Sequence, residues 1–192
     1  MKHIALIAKS GAGKGDFYEV AQKKYGYFQA TMSGYIEKAA RDAGMIGKRE
    51  TLDDRIRKAE VSNAMAMEYG SGYLAKAVIE DINSRDNRGK FYVIDGIRRK
   101  MEKNVIQSAL KSEVVFVGIV VDEKVLEKRL IERDKEIIKE MGVGNYLRRM
   151  HQNQSGYDID DLLRDVDRKI ENNGTKMEFT EKVEKFINEH CL

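Results

Sequence analysis

Residues 4–15 of the chain read Ile-Ala-Leu-Ile-Ala-Lys-Ser-Gly-Ala-Gly-Lys-Gly. The apolar run from Ile4 to Ile7 stops at a glycine cluster, which favours a short buried strand over a helix. After the cluster, apolar residues recur at helical spacing from Phe17 to Ala21, and Asp16 places an acid in the first turn, where the helix dipole favours it. The sequence therefore predicts a strand, a glycine loop and a helix, in this order.

The rest of the chain continues this alternation of strands and helices. We predict further strands at residues 27–32, 91–94, 114–121 and 169–171. We predict further helices at residues 35–43, 52–69, 74–82, 102–110, 123–141, 160–166 and 178–189. Residues 142–156 are polar and rich in glycine and arginine, and we predict that they form a mobile stretch. Strands that alternate with helices and are joined by right-handed crossovers imply a parallel sheet with helices on both faces. The expected fold class is therefore α/β with a five-stranded parallel sheet. The chemistry is expected at the carboxyl ends of the strands.

Composition restricts the class of protein. The chain has 192 residues, of which 42% are hydrophobic and 35% are charged, which suits one core and excludes a membrane protein. Thirty-five Lys and Arg residues against 32 Asp and Glu residues leave a net charge of +3, so neither nucleic acid nor a membrane is an expected partner. We expect a cytoplasmic protein, because the apolar run at the N-terminus is too short for a secretory signal and there is a single cysteine. The expected oligomeric state is a monomer or a homodimer.

Several residues that often carry chemistry are predicted to be inert here. The histidines are scattered along the sequence without a second ligand at metal spacing, so no zinc site is expected. The three are His3, His151 and His190. Met65 and Met67 are predicted to fill the core of a helical segment, and Cys191 to be a loose terminal thiol.

The glycine loop has the spacing of a phosphate-binding loop. Gly11 and Gly13 can adopt backbone angles that other residues avoid, which lets successive N–H groups converge on phosphate oxygens at the positive end of the next helix. Lys14 stands where a lysine bridges the β- and γ-phosphates. Ala8 replaces a usual glycine, and Gly15 replaces a usual Ser or Thr ligand of Mg²⁺, which leaves the Mg²⁺ ligands open. The alternative is a glycine turn with an exposed lysine, but the predicted strand and helix on either side favour phosphate binding.

A second candidate group follows the strand predicted at residues 91–94. Asp95 ends this strand and Gly96 allows a ligand to approach closely, which suits an acid that holds Mg²⁺ or orients the acceptor. The alternative is that Asp95 only caps the next helix. Arg98 and Arg99 come next, where guanidinium groups can bind phosphate oxygens in pairs, and Arg98 is the preferred candidate.

Further arginines lie in the second half of the chain. Arg129 and Arg133 are four positions apart and therefore face the same side of the helix predicted at residues 123–141. Arg148 and Arg149 follow in the stretch predicted to be mobile. Arginines on a mobile segment can exclude water and neutralise a transferring phosphoryl group on closure, so these residues predict a lid. For each arginine taken singly, a surface salt bridge is the alternative.

Taken together, these segments resemble phosphate-loop enzymes of the nucleoside monophosphate kinase type. Residues 10–17 are similar to the loop of adenylate and cytidylate kinases, and residues 93–98 are similar to the Asp-Gly strand end of those enzymes. Residues 126–133 resemble the helix that enters their lid. The resemblance is greatest to archaeal-type nucleotide kinases related to adenylate, cytidylate and dephospho-coenzyme A kinases, which share a late Asn-x-Gly-Thr, here Asn172 to Thr175.

This resemblance implies a three-layer P-loop NTP hydrolase fold that uses ATP and Mg²⁺. It implies a single domain with a core at residues 1–34, 88–125 and 160–192, a helical acceptor-binding insert at about 35–87 and a lid at about 126–159. It assigns the nucleotide phosphates to Ser10, Gly11, Ala12, Gly13, Lys14, Gly15 and Asp16. It makes Asn173, Gly174 and Thr175 candidates for base contacts, where an ordinary Asn-Gly turn is the alternative. The residues it places around the transferring group are Lys14, Asp95, Arg98, Arg129 and Arg133, with Asp95 also as the metal ligand.

One departure from these relatives concerns the acceptor. Residues 32–34, Met-Ser-Gly, stand where the relatives usually have an acid, so the acceptor site is expected to differ. Arg41, Arg55 and Arg57 are candidates for binding an acceptor phosphate. The predicted function is ATP-dependent phosphoryl transfer to a nucleotide-like small molecule. The alternatives are dephospho-coenzyme A kinase, whose acceptor is a ribose hydroxyl, and an ATP-binding regulatory protein without turnover.

Overall fold

The computed structural model describes residues 1–45, 52–87, 89–154 and 157–192, and a sheet of five parallel strands lies at its centre. The strands are β1 (His3–Ala8), β2 (Phe28–Thr31), β3 (Tyr92–Asp95), β4 (Val114–Val120) and β5 (Arg168–Glu171), in the order β2-β3-β1-β4-β5. The helices are α1 (Lys14–Tyr25), α2 (Met32–Asp42), α3 (Leu52–Tyr69), α4 (Tyr73–Ile82), α5 (Lys100–Leu110), α6 (Glu123–Arg133), α7 (Lys135–Met141), α8 (Val143–Gln154), α9 (Ile159–Arg164) and α10 (Lys176–His190). The predicted α/β fold class is confirmed.

Strand β1 is the central strand, and all six of its residues are buried. Ile4 and Leu6 pack in a cluster on one face of the sheet with side chains of α1, α8 and α10. Ala5 and Ile7 pack on the other face with side chains of α2, α4 and α5. A parallel strand that is covered on both faces needs apolar residues at every position, which explains the uninterrupted run in the sequence.

The topology places two loops side by side. Strand β1 pairs with β3 on one side and with β4 on the other, so the chain reverses its winding direction at β1. Ligands of open parallel sheets bind at such a point, beyond the carboxyl ends of the strands. The glycine loop after β1 and Asp95 at the end of β3 meet there.

The predicted helix at residues 123–141 is interrupted. Helix α6 ends at Arg133. The next residue, Asp134, is buried and has a non-helical backbone (φ −108°, ψ 25°), and α7 begins directly after it. Residues 143–154 of the stretch predicted to be mobile form helix α8, while residues 155–156 lie outside the described part, and the mobility itself stays a prediction. Tyr146 and Met150, one helical turn apart, are buried and hold this helix against the core.

Two of the predictions for single residues also fail. Met67 is 88% exposed and fills no core, although Met65 packs against the cluster formed with α2, α4 and α5. Cys191 is not a loose thiol, because it is only 1% exposed and its carbonyl oxygen accepts a hydrogen bond from the Lys2 amide at 2.8 Å.

Among the described helices, none has the length and apolar character needed to cross a bilayer.

The buried thiol makes stability depend on alkaline pH. Burial raises the pKa of Cys191 from 9.0 to about 11. Because the folded state holds this proton more tightly than the unfolded state, the resulting stabilisation is complete below about pH 9 and is lost as the pH rises through about 11. We expect the free energy of unfolding, measured in urea between about pH 8 and 11, to fall more steeply for the wild type than for Cys191→Ala. Parallel curves for the two proteins would contradict this.

Candidate functional site

The glycine loop folds over the start of α1. Gly11 and Gly13 have positive φ angles of 85° and 104°, and the Ala12 amide donates to the Lys9 carbonyl oxygen at 3.2 Å. Gly13 is the N-cap of α1, so the first amides of the helix point back towards the loop. The left-handed backbone of both glycines fits the convergent N–H arrangement that the sequence predicts for phosphate binding.

Lys14 and Asp95 face each other across this loop. Nζ of Lys14 lies 3.9 Å from Oδ1 of Asp95, and their side chains are 27% and 17% exposed. Oδ1 of Asp95 also accepts a hydrogen bond from the Gly96 amide at 2.6 Å. Gly96 has φ of 96°, and a Cβ there would lie 3.3 Å from Cβ of Met32. The lysine after β1 and the acid after β3 therefore share one half-buried space.

The alternative that Asp95 caps the next helix does not agree with the structure. Helix α5 begins at Lys100 with Arg99 as its N-cap, and the acid that caps its N-terminus is Glu102. Oε2 of Glu102 accepts hydrogen bonds from the amides of Arg98 and Arg99 at 2.7 and 2.9 Å. Burial raises the pKa of Glu102, and these hydrogen bonds act against the rise.

The guanidinium groups of the two arginines after β3 both lie over the Tyr157 ring, but their hydrogen-bond partners differ. Arg98 Nη1 donates to the Tyr157 hydroxyl at 3.1 Å, and its guanidinium lies 4.9 Å from the centre of the Tyr157 ring. Arg99 is mostly buried and donates to Ser62 and Asn63 of α3 at 3.2 and 2.7 Å. Arg99 thus connects α5 to α3, which leaves Arg98 as the better phosphate candidate.

Helix α6 lies directly over the glycine loop. A Cβ on Gly11 would approach Leu130 Cδ2 to 3.0 Å. Arg133 Nη1 donates to Ser10 Oγ at 3.3 Å, and Arg129 Nη2 donates to Asn172 Oδ1 at 3.4 Å and to the Gly174 carbonyl oxygen at 3.3 Å. Arg133 therefore reaches the glycine loop, and Arg129 reaches the turn that follows β5.

Other predicted residues lie elsewhere. Arg148 donates to Asn145 on the exposed side of α8. Lys176 Nζ lies 2.8 Å from Oδ1 of Asp16, so the structure connects Asp16 to helix α10. Arg41 pairs with Glu37 of its own helix.

The remaining acceptor candidates differ in how far the structure describes them. Arg57 donates to the Met45 carbonyl oxygen at 2.8 Å. The side chain of Arg55 lies outside the described part of the chain.

The turn after β5 contains one residue that the sequence analysis missed. Asn172 is 5% exposed, and its Nδ2 donates to the Ala12 carbonyl oxygen at 2.9 Å, so it fixes the centre of the glycine loop. Asn173 Oδ1 accepts from the Asp122 amide, and Thr175 caps α10 through a capping box with Glu178. The base contacts assigned to residues 173–175 stay predictions. Asn172 stands first in the Asn-x-Gly-Thr motif, and that position was the available signal.

The fold brings His151 close to two carboxylates that lie far from it in the sequence, and the expectation that there is no zinc site stays a prediction. Ligand atoms of Glu123, Glu127 and His151, on α6 and α8, lie within 4.8 Å of one another. The carboxylates and the imidazole are exposed or half-buried, a setting in which acids are commonly solvated. This trio was invisible in the sequence because it depends on the packing of α8.

A cavity lies beside the edge strand β2. It has a volume of about 280 Å³, and its lining includes Thr31, Tyr35, Lys38, Val78 and Asp81. Thr31 pairs with Asp95 in the sheet, and its hydroxyl lies 2.7 Å from that of Ser33. The hydroxyl groups of Thr31 and Ser33 thus lie together at the end of β2, where Thr31 also lines the cavity.

Comparison with known proteins concerns the family and the fold of the chain. A UPF0200 protein from Methanoregula boonei is 24% identical over 187 residues, covering 97% of this chain and 96% of that protein. The crystal structure of shikimate kinase from Bacteroides thetaiotaomicron has a TM-score of 0.58 at 13% identity, with 97% of both chains covered. Dephospho-CoA kinase from Campylobacter jejuni has a TM-score of 0.52 at 16% identity, covering 98% of this chain and 96% of that chain. At these identities the two structural likenesses concern the fold, which is that of P-loop kinases.

The family assignment rests on most of the chain. The family model described as chloramphenicol phosphotransferase-like protein matches residues 4–176, a range that includes the glycine loop, Asp95 and both arginines of α6. The resemblance to P-loop kinases is thereby confirmed. The chain belongs to the chloramphenicol phosphotransferase-like protein family.

Proposed function

We propose that this protein is an ATP- and Mg²⁺-dependent kinase that transfers the γ-phosphoryl group to a nucleotide-like small molecule such as a nucleoside monophosphate. The observation that carries the proposal is the convergence of Lys14, Asp95 and Arg133 around the glycine loop. The Lys14 and Arg133 cations and the backbone N–H groups at the start of α1 would together attract the negative charge of a triphosphate. The kinase family and fold support phosphoryl transfer, and the nucleotide acceptor is our own inference.

In the proposed mechanism the chain binds the donor and orients it. The amides of the loop and Lys14 hold the β- and γ-phosphates, while Arg133 and Arg129 lie above them on α6. An acceptor oxygen attacks the γ-phosphorus, the bond to the β–γ bridging oxygen breaks, and ADP leaves with the electron pair. Positioning and charge neutralisation supply most of the rate in such reactions.

Asp95 has two roles in this proposal. A half-buried carboxylate opposite the phosphate lysine fits Mg²⁺, which proteins hold through one or two carboxylates together with substrate phosphates. When bound, Mg²⁺ would neutralise charge on the β- and γ-phosphates. If the acceptor is a hydroxyl, Asp95 also receives its proton. Gly15 contributes an amide but no hydroxyl, which makes Asp95 more important for the metal.

The helices on either side of the loop complete the proposal. We assign α2 to α4 to acceptor binding, because the cavity beside β2 opens between α2 and α4 next to the Thr31 and Ser33 hydroxyls. We assign α6 to α8 to a lid that covers the donor phosphates, because α6 contacts the glycine loop through Leu130 and Arg133.

An acceptor panel tests the proposal. ATP labelled on the γ-phosphate is offered with nucleoside and deoxynucleoside monophosphates, dephospho-coenzyme A, shikimate and chloramphenicol. We expect transfer to a monophosphate. Transfer only to dephospho-coenzyme A, shikimate or chloramphenicol would make the acceptor a hydroxyl instead. Tight ATP binding in calorimetry without any product would favour a regulatory protein.

Removing the charge of Asp95 tests whether this residue binds Mg²⁺ or only stabilises the fold, because the first role changes the Mg²⁺ dependence of the rate and the second changes the melting temperature. For Asp95→Asn we expect kcat to fall about 100-fold and the Mg²⁺ concentration for half-maximal rate to rise at least about fivefold. The matched control is Asp158→Asn, which removes a carboxylate that accepts from the Lys100 amide at the start of α5. This control is expected to lower the melting temperature while leaving the Mg²⁺ dependence unchanged. An unchanged Mg²⁺ dependence in Asp95→Asn would contradict the metal role.

A further inference from the structure

We propose that Asp134 and Tyr146 are positioning residues that orient the Arg133 guanidinium towards the phosphate loop and so connect helix α8 to phosphoryl transfer. The inference rests on the proposed function, because it assumes that the loop holds the phosphates of ATP. It adds two residues that act on the loop through a third.

Asp134 binds one edge of the Arg133 guanidinium. Nε of Arg133 donates to Oδ1 at 3.1 Å, and Nη2 donates to Oδ2 at 2.7 Å, so the two planar groups lie side by side with two parallel hydrogen bonds. A guanidinium held on its Nε–Nη2 edge has its Nη1 direction fixed. In this structure Nη1 points to Ser10 Oγ at 3.3 Å, within the glycine loop.

Tyr146 fixes Asp134 in turn. The Tyr146 hydroxyl donates to Oδ2 of Asp134 at 2.5 Å, across the space between α8 and the end of α6. Tyr146 is fully buried, and Asp134 is 5% exposed. The break between α6 and α7 at Asp134 turns this carboxylate inward, towards both partners. A buried carboxylate needs such partners, because an unpaired one would be costly to desolvate.

The charges of the three groups agree with this arrangement. Burial alone would lower the pKa of Arg133, but the hydrogen bonds and the negative charge of Asp134 outweigh it and raise the pKa. Burial, together with hydrogen bonding to Asp134, raises the pKa of Tyr146 to about 12. At neutral pH the arginine therefore stays charged and the tyrosine keeps the proton that it donates.

A purely structural role predicts a different result. If Tyr146 and Asp134 only joined α8 to α6, their replacement would lower the melting temperature, and any loss of ATP binding would be the same with or without Arg133. If they act through Arg133, their effect on ATP binding disappears once Arg133 is gone. Double-mutant cycles distinguish these cases, because the coupling is measured directly.

The experiment measures the dissociation constants of ATP and ADP by calorimetry for Tyr146→Phe and Asp134→Asn, each in the wild-type and the Arg133→Ala background. We expect both changes to weaken ATP about 3- to 20-fold and ADP less than about twofold in the wild-type background, since Arg133 faces the γ-phosphate in the proposed complex. In the Arg133→Ala background we expect less than about a twofold change for either nucleotide. Where turnover is measurable, kcat should follow the affinity for ATP.

The control is Tyr25→Phe, which removes a half-buried hydroxyl that joins α1 to the Glu184 carbonyl oxygen of α10 rather than α6 to α8. Equal losses in both backgrounds, or equal losses for ATP and ADP, would overturn the proposal. Asp134→Asn keeps the test valid if Tyr146→Phe folds poorly, because it retains the size of the side chain. Because binding is the primary readout, a wild-type protein that binds ATP but phosphorylates no acceptor would refute the proposed function while leaving this inference testable.

Discussion

Replacing Lys14 by alanine is expected to lower kcat/KM for ATP at least about 1000-fold, with most of the loss in kcat. The Lys14 ammonium is the cation closest to the space between the glycine loop and Asp95 in the proposed complex, and its charge is matched to the β–γ bridge that breaks in the reaction. Alanine at position 14 removes the cation that lies 3.9 Å from Asp95, and we do not expect neighbouring groups to compensate. A steady-state assay with γ-labelled ATP measures the change.

The fold should survive this replacement. At 3.9 Å and with both side chains partly exposed, the Lys14–Asp95 ion pair contributes less than about 1 kcal/mol to stability. The control is Lys9→Ala, which removes a lysine five residues earlier that pairs with Asp160 at 2.8 Å outside the loop. We expect Lys9→Ala to change kcat/KM less than about threefold. Wild-type turnover by Lys14→Ala would refute the assignment of the loop.

Strong local patterns made much of the fold predictable. The apolar run of β1 followed by glycines indicates a buried strand and then a tight turn. A strand covered on both faces must be apolar throughout, and the glycines allow the turn. The same holds for β3 and β4, so the position of Asp95 at a strand end could be derived from the sequence.

Helix α8 could not be predicted because its stability comes from tertiary packing. Gly144 and the β-branched Val143 in its first turn weaken its intrinsic helical propensity, and the burial of Tyr146 and Met150 against the core compensates. With the helix missed, its consequences were missed too. Neither the contact of Tyr146 with Asp134 nor the approach of His151 to two glutamates can be read from the linear order of residues.

The predicted site shows the same division. The spacing of Arg129 and Arg133 correctly placed both on one helix face, but the sequence could not show that Asp134 holds Arg133. Arg98 and Arg99 are adjacent and chemically equal, and only the structure shows that Arg99 is hydrogen-bonded to Ser62 and Asn63 of α3.

Replacing Gly13 by alanine is expected to weaken ATP binding at least about 100-fold and to destabilise the protein by about 1–3 kcal/mol. Gly13 has φ of 104°, which L side chains rarely adopt. A Cβ there would also lie 2.4 Å from Nδ2 of Asn172, a buried group that donates to the Ala12 carbonyl oxygen and has little room to move. Either the backbone of the loop or the Asn172 bond must change, and both disturb the amides that would face the phosphates. Calorimetry with ATP and urea unfolding measure the two effects.

Gly15→Ala is the matched control, since a Cβ at Gly15 meets nothing within 4 Å and its amide is retained. It is expected to bind ATP within about threefold of the wild type and to be as stable or up to about 1 kcal/mol more stable, because alanine is the better helix former. The double variant Gly13→Ala with Asn172→Ala separates the two causes. It removes the close contact but keeps the positive φ and leaves the Ala12 carbonyl oxygen without its asparagine partner, so stability should recover only in part and ATP affinity should stay low. Full recovery of both would mean that the contact with Asn172, and not the backbone conformation of the loop, makes glycine necessary at this position.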